Sequence, residues 1–513
     1  MSSQGLNVRW LASTRVSEHT GQELGQNDQN EEEVQAGSDE IEKDSIGLKD
    51  CEKSPRLDDE AAEKGYHNEI DPTTPPSPSS ASDTEYSSDE TSSTESTPHR
   101  ELQGTSCIQE AQLSQDGTCI FTSDYSRTFS VYPIGTNILS NASTSAIKPY
   151  AQFTSPNPIW AFAANPLFNL QDAASTHVLV SRRDSYITLH NALWDITRNY
   201  DSQDAQTLSS GPVDIAKPLA SYKLIDHLTE AVTAPISLAY AHDGAHFFAG
   251  KQNGIATFDL EHTNDPIHTI TTIPSKRNKL KGGGRGFKGW ISALSLSLPS
   301  TTSTGGLLAA GSRTRYIGIY DSTSGGDVTH FSLPGTIDGK KARNENLRHI
   351  MGDGVSHLKW SFCGKYLYVA ERHSDVLLIY DVRNFSLSLG YCVGRKAETK
   401  QKLGFDIWNA GPSPYDIEAM AHEVWAGGSD GHVRIWKDPY RKEGPVLPDE
   451  VVQIQYGKLP VVSTLVHSSG CLAVAACGVV DVGDEKYTQG RRRGGGVRPR
   501  YREYGSLDIL GLG

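Results

Sequence analysis

No apolar run in the sequence approaches the roughly 18 residues that a membrane-spanning helix requires. The amino-terminal stretch MSSQGLNVRW also lacks the charged flank and apolar core of a secretory signal. We therefore expect a soluble, intracellular protein that does not engage a membrane.

Cysteine is scarce and its spacing is irregular. There is no CxxC pair and no metal-ligand spacing among the seven cysteines, which are Cys51, Cys107, Cys119, Cys363, Cys392, Cys471 and Cys477. This usage suits a reducing compartment and argues against structural zinc. We interpret the cysteines as small buried hydrophobes, and we expect no metal site and no cofactor.

Apolar residues make up only 36% of the 513-residue chain and charged residues 21%. Both fractions are low for a fully globular chain, so part of it is predicted to be unfolded. The net charge of −14 argues against a protein that coats nucleic acid through its overall charge. Local basic patches remain compatible with nucleic-acid binding.

An acidic tract rich in Ser, Thr and Pro spans residues 15–100. Its stretch PTTPPSPSSASDTEYSSDETSSTESTP has almost no apolar groups whose burial could offset the ordering entropy. The tract is therefore predicted to be disordered. Ser77 and Thr97 are each followed by proline and could accept phosphate, or the tract could simply solvate the chain.

Residues 101–513 repeat a pattern of short alternating strands and tight turns. Four stretches share it: SCIQEAQLSQDGTCIFTSDYSRTFSVYPI, APISLAYAHDGAHFFAGKQNGIATFDL, DGVSHLKWSFCGKYLYVAERHSDVLLIYDV and EVWAGGSDGHVRIWKD. The Asp-Gly and Asn-Gly pairs at Asp243, Asn253 and Asp430 favour two-residue hairpins. Weaker copies begin at Thr176, Gly289 and Pro460. Each unit is predicted to be an antiparallel meander.

Meanders of this kind bury both faces only when several surround an axis, as in a β-propeller. Seven blades of roughly 40 to 45 residues need about 300 residues, so the surplus is assigned to insertions. We place these at 194–217, 261–288, 335–352, 393–400, 439–458 and 481–503. The final SLDILGLG then forms the third strand of blade 7, and LNVRWLA within residues 1–14 is predicted to close that blade as its fourth strand.

Several blade endings identify the broad class of propeller. IYD at Ile319 and Ile379 and IWK at Ile435 resemble degenerate WD-dipeptide endings, so the chain from about residue 106 resembles WD-repeat proteins. YKLIDHLTEAVTAPISLAYAHDGAHFFAG resembles a blade of the telomerase Cajal body protein family. GWISALSLS with LLAAGSRTRYIGIYD, TKQKLGFDI and the N-terminal LNVRWLAST are similar to further segments of that family, the last to its fungal members.

This resemblance implies a nuclear, non-enzymatic propeller located in the Cajal body or an equivalent, with the cytoplasm as a further location. It implies partners among box H/ACA small Cajal-body RNAs, telomerase RNA and the proteins of their ribonucleoprotein particles. A yeast relative is instead associated with pre-mRNA splicing, and that alternative stays open. So does a third function, a purely protein-interaction platform that uses the propeller faces.

Two enzyme-like motifs have the wrong surroundings. GGSDG fits the nucleophile-elbow pattern with Ser429 as nucleophile, but strand-like segments flank it on both sides, which predicts a hairpin turn. Gly284, Gly286 and Gly289 fit the dinucleotide-binding pattern without the strand and helix that it needs. No paired carboxylates or Cys/His arrangement stands out, so we expect no catalytic residues, no enzyme activity and no small-molecule substrate.

Two basic, glycine-rich insertions, 261–288 and 481–503, are the candidate RNA-binding segments. They combine phosphate-attracting charge and a flexible backbone with an aromatic ring, Phe287 in the first and Tyr501 in the second, which suits single-stranded RNA. A solvated or protein-docking loop is the alternative. The candidate residues are Lys276, Arg277, Lys279, Lys281, Arg285, Phe287, Lys288, Arg491, Arg492, Arg493, Arg498, Arg500 and Tyr501.

Tyr222 and His227 begin the family-like segment and are candidate contacts for a ligand. The alternative for both is a structural role within their own repeat. The sequence does not indicate whether the two basic insertions lie on the same face of the propeller.

Overall fold

The computed structural model describes residues 6–15, 105–140, 143–197, 211–226, 229–273, 286–301, 303–409, 421–454, 459–482 and 501–513. The acidic tract, 15–100, lies outside these residues except for Arg15. Its disorder and the boundaries of the three predicted regions therefore stay predictions.

Short β-strands form nearly all of the regular structure in the described residues. The strands of the first four blades, with the strand that precedes them, are β1 (Val8–Ser13), β2 (Ile108–Leu113), β3 (Cys119–Asp124), β4 (Thr128–Pro133), β5 (Ser145–Ala146), β6 (Ala151–Thr154), β7 (Ile159–Ala164), β8 (His177–Arg182), β9 (Ile187–Asn191), β10 (Val213–Asp214), β11 (Pro218–Tyr222), β12 (Ser237–Tyr240), β13 (His246–Lys251), β14 (Gly254–Asp259), β15 (His268–Thr271), β16 (Ile291–Leu296), β17 (Leu307–Ser312), β18 (Tyr316–Asp321) and β19 (Asp327–Ser332). The strands that follow are β20 (Thr336–Ile337), β21 (Lys340–Lys341), β22 (Val355–Trp360), β23 (Tyr366–Glu371), β24 (Leu377–Asp381), β25 (Gly390–Cys392), β26 (Phe405–Asn409), β27 (His422–Gly427), β28 (His432–Lys437), β29 (Gly444–Val446), β30 (Glu450–Gln453), β31 (Val461–Val466), β32 (Leu472–Val482) and β33 (Tyr501–Leu512). Short 3₁₀-helices span Ile138–Ser140, Glu345–Ile350 and Pro439–Arg441.

These strands build seven antiparallel sheets that correspond to the seven predicted blades. From the first strand to the fourth, the blades are β2-β3-β4-β6, β7-β8-β9-β11, β12-β13-β14-β15, β16-β17-β18-β19, β22-β23-β24-β25, β26-β27-β28-β30 and β31-β32-β33-β1. The all-β, seven-bladed propeller expected from the repeats is confirmed.

The core of the propeller lies between neighbouring blades. Alternate side chains of a strand point to opposite faces of its sheet, so each blade packs against the blade before it and the blade after it. Between blades 2 and 3, for example, the ring of Tyr222 in β11 meets the ring of Phe247 in β13 edge to face, with centroids 5.0 Å apart. Leu11, Ile108 and Leu507 belong to the cluster that joins blade 7 to blade 1. Apolar packing therefore continues around the whole ring.

The fourth strand of blade 7 comes from the N-terminal end of the chain, as the LNVRWLA stretch predicts. β1 pairs antiparallel with β33, so that Val8 lies opposite Leu512 and Ser13 opposite Asp508. β33 is itself paired with β32 along its whole length. Backbone hydrogen bonds between the two ends of the described chain thus close the ring.

Some of the predicted insertions contain strands that complete a blade. β15 falls within 261–288 and β30 within 439–458, and they are the fourth strands of blades 3 and 6. Three two- or three-residue strands, β5, β10 and β29, also add in parallel to the outer edges of blades 7, 1 and 5. The assignment of those two ranges wholly to insertions is therefore wrong.

Tight turns follow the predicted Asp-Gly and Asn-Gly chemistry. Gly244 and Gly431 have φ values of 67° and 76°, and Asn253 has a φ of 57°. Glycine and asparagine accept this left-handed conformation more readily than other residues, so these pairs set the positions of the hairpins.

Candidate ligand-binding face of the propeller

Neighbouring strands of a blade run in opposite directions, so the segments that connect the strands lie on two opposite faces of the propeller. The first strand of each blade runs away from the face on which the linkers between blades lie, so the turns between second and third strands return to that same face. We call it the linker face. The other turns lie on the opposite face.

Both basic insertions attach to the linker face. Residues 274–285 lie in the linker between β15 and β16, and residues 483–500 lie in the connection between β32 and β33. Val479 and Val480 of blade 7 line the same cavity as Trp290 of the linker before blade 4. The topology therefore attaches the two insertions to one face, which the sequence left undecided.

Most of the predicted RNA-binding side chains lie outside the described residues. This holds for Lys276, Arg277, Lys279, Lys281, Arg285, Arg491, Arg492, Arg493, Arg498 and Arg500. Lys288 is exposed, and its carbonyl accepts a hydrogen bond from the Thr314 hydroxyl. Tyr501 is the first residue of β33 and pairs with Val482.

Phe287 does not offer its ring to a ligand, which corrects the expectation from sequence. The side chain is 1% exposed and stacks on Tyr316 with ring centroids 5.7 Å apart. Its backbone N–H donates to the Thr272 carbonyl at 2.7 Å. Phe287 belongs to the core between blades 3 and 4, because the glycine-rich insertion returns to the sheet at this residue.

Tyr222 is also a core residue, in agreement with the structural alternative. It ends β11, its ring meets Phe247 edge to face at 5.0 Å, and its hydroxyl donates to the Leu260 carbonyl at 2.9 Å. Burial, followed by the charge of Asp259, raises the pKa of Tyr222 to about 12. The described contacts leave no ring face open to a ligand. His227 lies outside the described residues.

A cavity of about 740 Å³ opens at the centre of the linker face, and we call it the mouth cavity. The first strands of several blades and the neighbouring turns contribute its lining. Its aromatic residues are Tyr125, Trp160 and Trp290. Tyr125 and Trp160 are 45% and 39% exposed, so their rings are accessible from solvent.

The charge of the mouth cavity is predominantly positive. Arg313, Arg372 and Lys402 line it, and Glu110 is the single carboxylate among the described lining residues. Glu110 is engaged by Lys402, whose Nζ lies 2.9 Å from the Glu110 Oε2. No described carboxylate forms an ion pair with Arg313 or Arg372. Burial, and then the charge of Arg313, lowers the pKa of Arg372.

A buried ion pair positions the two arginines. Arg315 donates to both carboxylate oxygens of Glu371 at 2.7 and 2.8 Å. Glu371 also accepts hydrogen bonds from the N–H groups of Gly352 and Gly354. The Arg372 N–H donates to the Gly354 carbonyl at 3.0 Å. The pair thus ties the linker between blades 4 and 5 to the turns that carry Arg313 and Arg372.

A second cavity, of about 430 Å³, lies toward the opposite face of the central channel. Lys359 and Asp406 form an ion pair in its wall, beside His357. Burial lowers the pKa of His357, and the charges of Lys402, Lys359 and Arg395 lower it further. His357 is therefore neutral near pH 7, and the charges of this cavity are largely paired.

The enzyme-like motifs form turns, as predicted from their surroundings. Ser429 lies between β27 and β28, and its hydroxyl donates to the Lys396 carbonyl at 2.7 Å. Gly286 and Gly289 precede strand β16, and no helix follows them. Gly284 lies outside the described residues.

Within the described ranges, no three His, Cys, Asp or Glu side chains are grouped closely enough to hold a metal ion. In the same ranges, none of the helices has the length and apolar character required to cross a bilayer.

Sequence reasoning missed the residues of the mouth cavity. Trp160 follows the buried Ile159 at the start of β7, and Arg313 and Arg372 each follow a second strand directly. Their shared signal is position, since the first strands and the turns after second strands meet around the central channel. That signal becomes usable only once all seven blades have been aligned.

Comparison with known proteins places the fold among characterised relatives. No protein-family model matches the sequence. The chain is 26% identical over 292 residues to guanine nucleotide-binding protein negative regulator 1 of Schizosaccharomyces pombe, covering 56% of this chain and 58% of that protein. It is 21% identical over 332 residues to telomerase Cajal body protein 1 of Mesocricetus auratus and of Rattus norvegicus. Those matches cover 64% of this chain and 50% and 51% of the two relatives.

The chain therefore spans about half the length of the curated relatives that it matches. Its repeats, its seven-bladed ring and these similarities agree with one another. The chain is a seven-bladed β-propeller protein, and its homologues are proteins of the WD-repeat type that include telomerase Cajal body protein 1.

Proposed function

We propose that this chain is a nuclear, non-enzymatic scaffold that binds small RNAs at its linker face and helps their ribonucleoprotein particles to mature. The similarity to telomerase Cajal body protein 1 favours box H/ACA Cajal-body RNAs or telomerase RNA as partners, and the Cajal body or an equivalent as the location. The propeller fold and these homologues are typical of non-enzymatic scaffold proteins.

One observation carries this proposal. Both basic, glycine-rich insertions attach to the face whose centre holds a cavity with accessible aromatic rings and two arginines with which no described carboxylate forms an ion pair. Cationic groups attract the phosphate backbone, and aromatic rings accept unpaired bases by stacking. Because the net charge of the whole chain is −14, nonspecific attraction for RNA is weak outside such a local patch.

Crosslinking of the full-length chain to RNA in cells, followed by sequencing of the recovered RNA, tests the proposal. We expect a defined set of small nuclear RNAs to be enriched over a chain in which the basic residues of both insertions are replaced by serine. Enrichment of intronic and spliceosomal RNA would instead support a splicing-associated role. Recovery of background RNA alone would reject the RNA-binding function.

A platform for protein partners is the second candidate. The similarity to guanine nucleotide-binding protein negative regulator 1, at 26% identity, favours it. So do the exposed apolar side chains of Leu167, Leu298 and Phe362 in turns of the opposite face. Under this alternative, replacing these residues by serine reduces the recovery of protein partners and leaves RNA recovery at background.

A further inference from the structure

We propose that the mouth cavity holds one unpaired nucleotide of the bound RNA, with a phosphate between Arg313 and Arg372 and the base against the indole rings of Trp160 and Trp290. This inference rests on the proposed function and specifies the kind of RNA that the linker face accepts. It concerns described residues only, and the basic insertions are not part of the site.

The two arginines create a position suited to an anion. Both arginines line the same cavity, and burial combined with the charge of Arg313 disfavours the charged form of Arg372. Two nearby carboxylates are already engaged. Glu371, the residue before Arg372, pairs with Arg315, and Asp353, whose N–H donates to the Arg372 carbonyl, pairs with Lys341. A phosphate would relieve the repulsion between Arg313 and Arg372 through charge-assisted hydrogen bonds.

The backbone of Arg313 and the guanidinium of Arg372 are held in place before a ligand arrives. The Arg313 N–H donates to the Trp290 carbonyl at 3.0 Å, so this arginine and this indole belong to one hydrogen-bonded segment. Arg372 donates from its guanidinium to the Lys400 carbonyl. Binding therefore orders fewer groups than it would on a free loop, which favours affinity.

The aromatic residues favour a nucleotide over a simple anion. Trp160 is 39% exposed, although its neighbours Ile159 and Ala161 are each 4% exposed. A large apolar ring that faces a cationic cavity provides a stacking surface for a base. The cavity volume of about 740 Å³ lies within the range of small-ligand sites, which is roughly 300 to 1,000 Å³.

The bound nucleotide has to be unpaired. In a double helix each base is already stacked and hydrogen-bonded within the duplex, and its face is not available to a protein ring. We therefore infer that the mouth cavity selects single-stranded RNA segments over duplex RNA. The basic insertions, in contrast, attract the phosphates of either form.

Titration of the full chain with a fluorescent oligouridylate and with an RNA duplex of equal length tests this inference. We expect Arg313→Gln/Arg372→Gln to weaken oligouridylate binding and to reduce its slope of log K against log salt concentration by about 0.7, because the two arginines together neutralise one phosphate. Duplex binding should be unchanged. The charge-matched control is Lys365→Gln/Arg383→Gln on the opposite face, which should change neither affinity.

The stacking of the base on the tryptophan rings is tested separately. Trp160→Ala should weaken oligouridylate binding by roughly five- to 150-fold, whereas Trp160→Phe, which keeps a stacking ring, should lose much less. An oligonucleotide with a single 4-thiouridine should crosslink to peptides that contain Trp160 or Trp290. Unchanged melting temperatures would establish that each variant is folded.

The outcomes separate this inference from the proposed function. Normal RNA binding with no effect of the arginine and tryptophan variants, or with equal losses for single strand and duplex, would overturn the nucleotide site and leave RNA binding intact. Failure of the unaltered chain to bind either RNA would overturn both.

Discussion

The buried pair of Arg315 and Glu371 shows how single residues shape the linker face. Their side chains are 3% and 2% exposed, and Arg315 also donates to the Thr336 hydroxyl at 3.0 Å. Charges at such depth are stable only with complete partners. Each residue therefore depends on the other, and the linker segment that they hold depends on both.

We predict that Glu371→Gln lowers the free energy of unfolding by about 3 to 5 kcal/mol, because it leaves the charge of Arg315 buried and unpaired. Equilibrium denaturation measures this loss. As a control, Asp449→Asn disrupts the exposed pair with Lys442, whose N–O distance is 3.4 Å, and should cost less than about 1 kcal/mol. Equal losses in the two variants would contradict the role assigned to the buried pair.

His190 links the stability of blade 2 to pH. Its ring is fully buried, stacks on Phe153 with centroids 4.7 Å apart, and lies 2.9 Å from the Ile215 carbonyl through Nδ1. Burial is the main cause that lowers its pKa from 6.5 to about 4. The folded chain therefore takes up this proton less readily than the unfolded chain does.

The sign of the pH dependence follows from this difference. The contribution of His190 is fully present above pH 6.5 and is lost as pH falls toward 4, by about 3 kcal/mol in total. Denaturation between pH 7 and pH 4 should show a smaller loss for His190→Gln than for the unaltered chain. The half-buried His177 and His357 also have lowered pKa values and act in the same direction, so the difference between the two curves is the quantity to compare. Parallel curves would contradict the prediction.

At the scale of elements, the sequence predicts strands best where both faces of a strand are buried. The second and third strands of blades 3 and 5 have dense apolar patterns and tight turns, and they lie where the pattern puts them. Fourth strands such as β15 and β30 are short and half-exposed, so their sequence pattern resembles that of a polar insertion. Their place is fixed by pairing with the third strand, and a local pattern does not encode that pairing.

The candidate site was predictable only in part for a related reason. Basic glycine-rich segments are visible in sequence, and their shared face follows once the strands are numbered. The mouth cavity consists of residues drawn from several blades, and no single blade carries a complete signal. For Phe287 the sequence predicts a ligand contact where the structure has a core residue. Its ring is buried, but its neighbours in the sequence are basic residues and glycines, which indicate an exposed loop.

The basic insertion before blade 4 should act as an electrostatic element. Replacing Lys276, Arg277, Lys279, Lys281, Arg285 and Lys288 by serine is expected to weaken RNA binding and flatten its salt dependence by about 0.7 per lost phosphate contact. Phe287 is retained because it belongs to the core. Affinity measured over a range of salt concentrations tests this, and an unchanged slope would reject the insertion as a contact. Serine replacements of Lys365, Lys437 and Lys442, in or beside turns of the opposite face, provide the control.

At the scale of the whole molecule, stability depends on the closure of the ring. Without β1, the edge of β33 would expose unpaired backbone groups. The interface between blades 7 and 1 would also lose the side chain of Leu11. Leu11 is fully buried in the cluster between these blades, and Ala12 is 2% exposed. Leu11→Ala is expected to cost about 2 to 5 kcal/mol.

Deleting residues 1–14 should therefore lower the melting temperature of the propeller far more than replacing residues 16–100 by a flexible Gly/Ser linker. The acidic tract has few apolar groups to bury, so its removal should change the melting temperature little. Arg15 is kept in the second variant, because its Nε donates to the Gly505 carbonyl at 3.2 Å.

A peptide of residues 1–14 provides the decisive control for this closure. Added to the chain that lacks these residues, it should restore the melting temperature in proportion to its concentration, because it binds the folded ring and not the unfolded chain. The same peptide with Leu11→Asp should not restore it, since a buried charge between blades 7 and 1 would oppose docking. Equal rescue by both peptides, or an unchanged melting temperature after deletion of residues 1–14, would mean that the pairing of Val8–Ser13 with β33 contributes little to the stability of the ring.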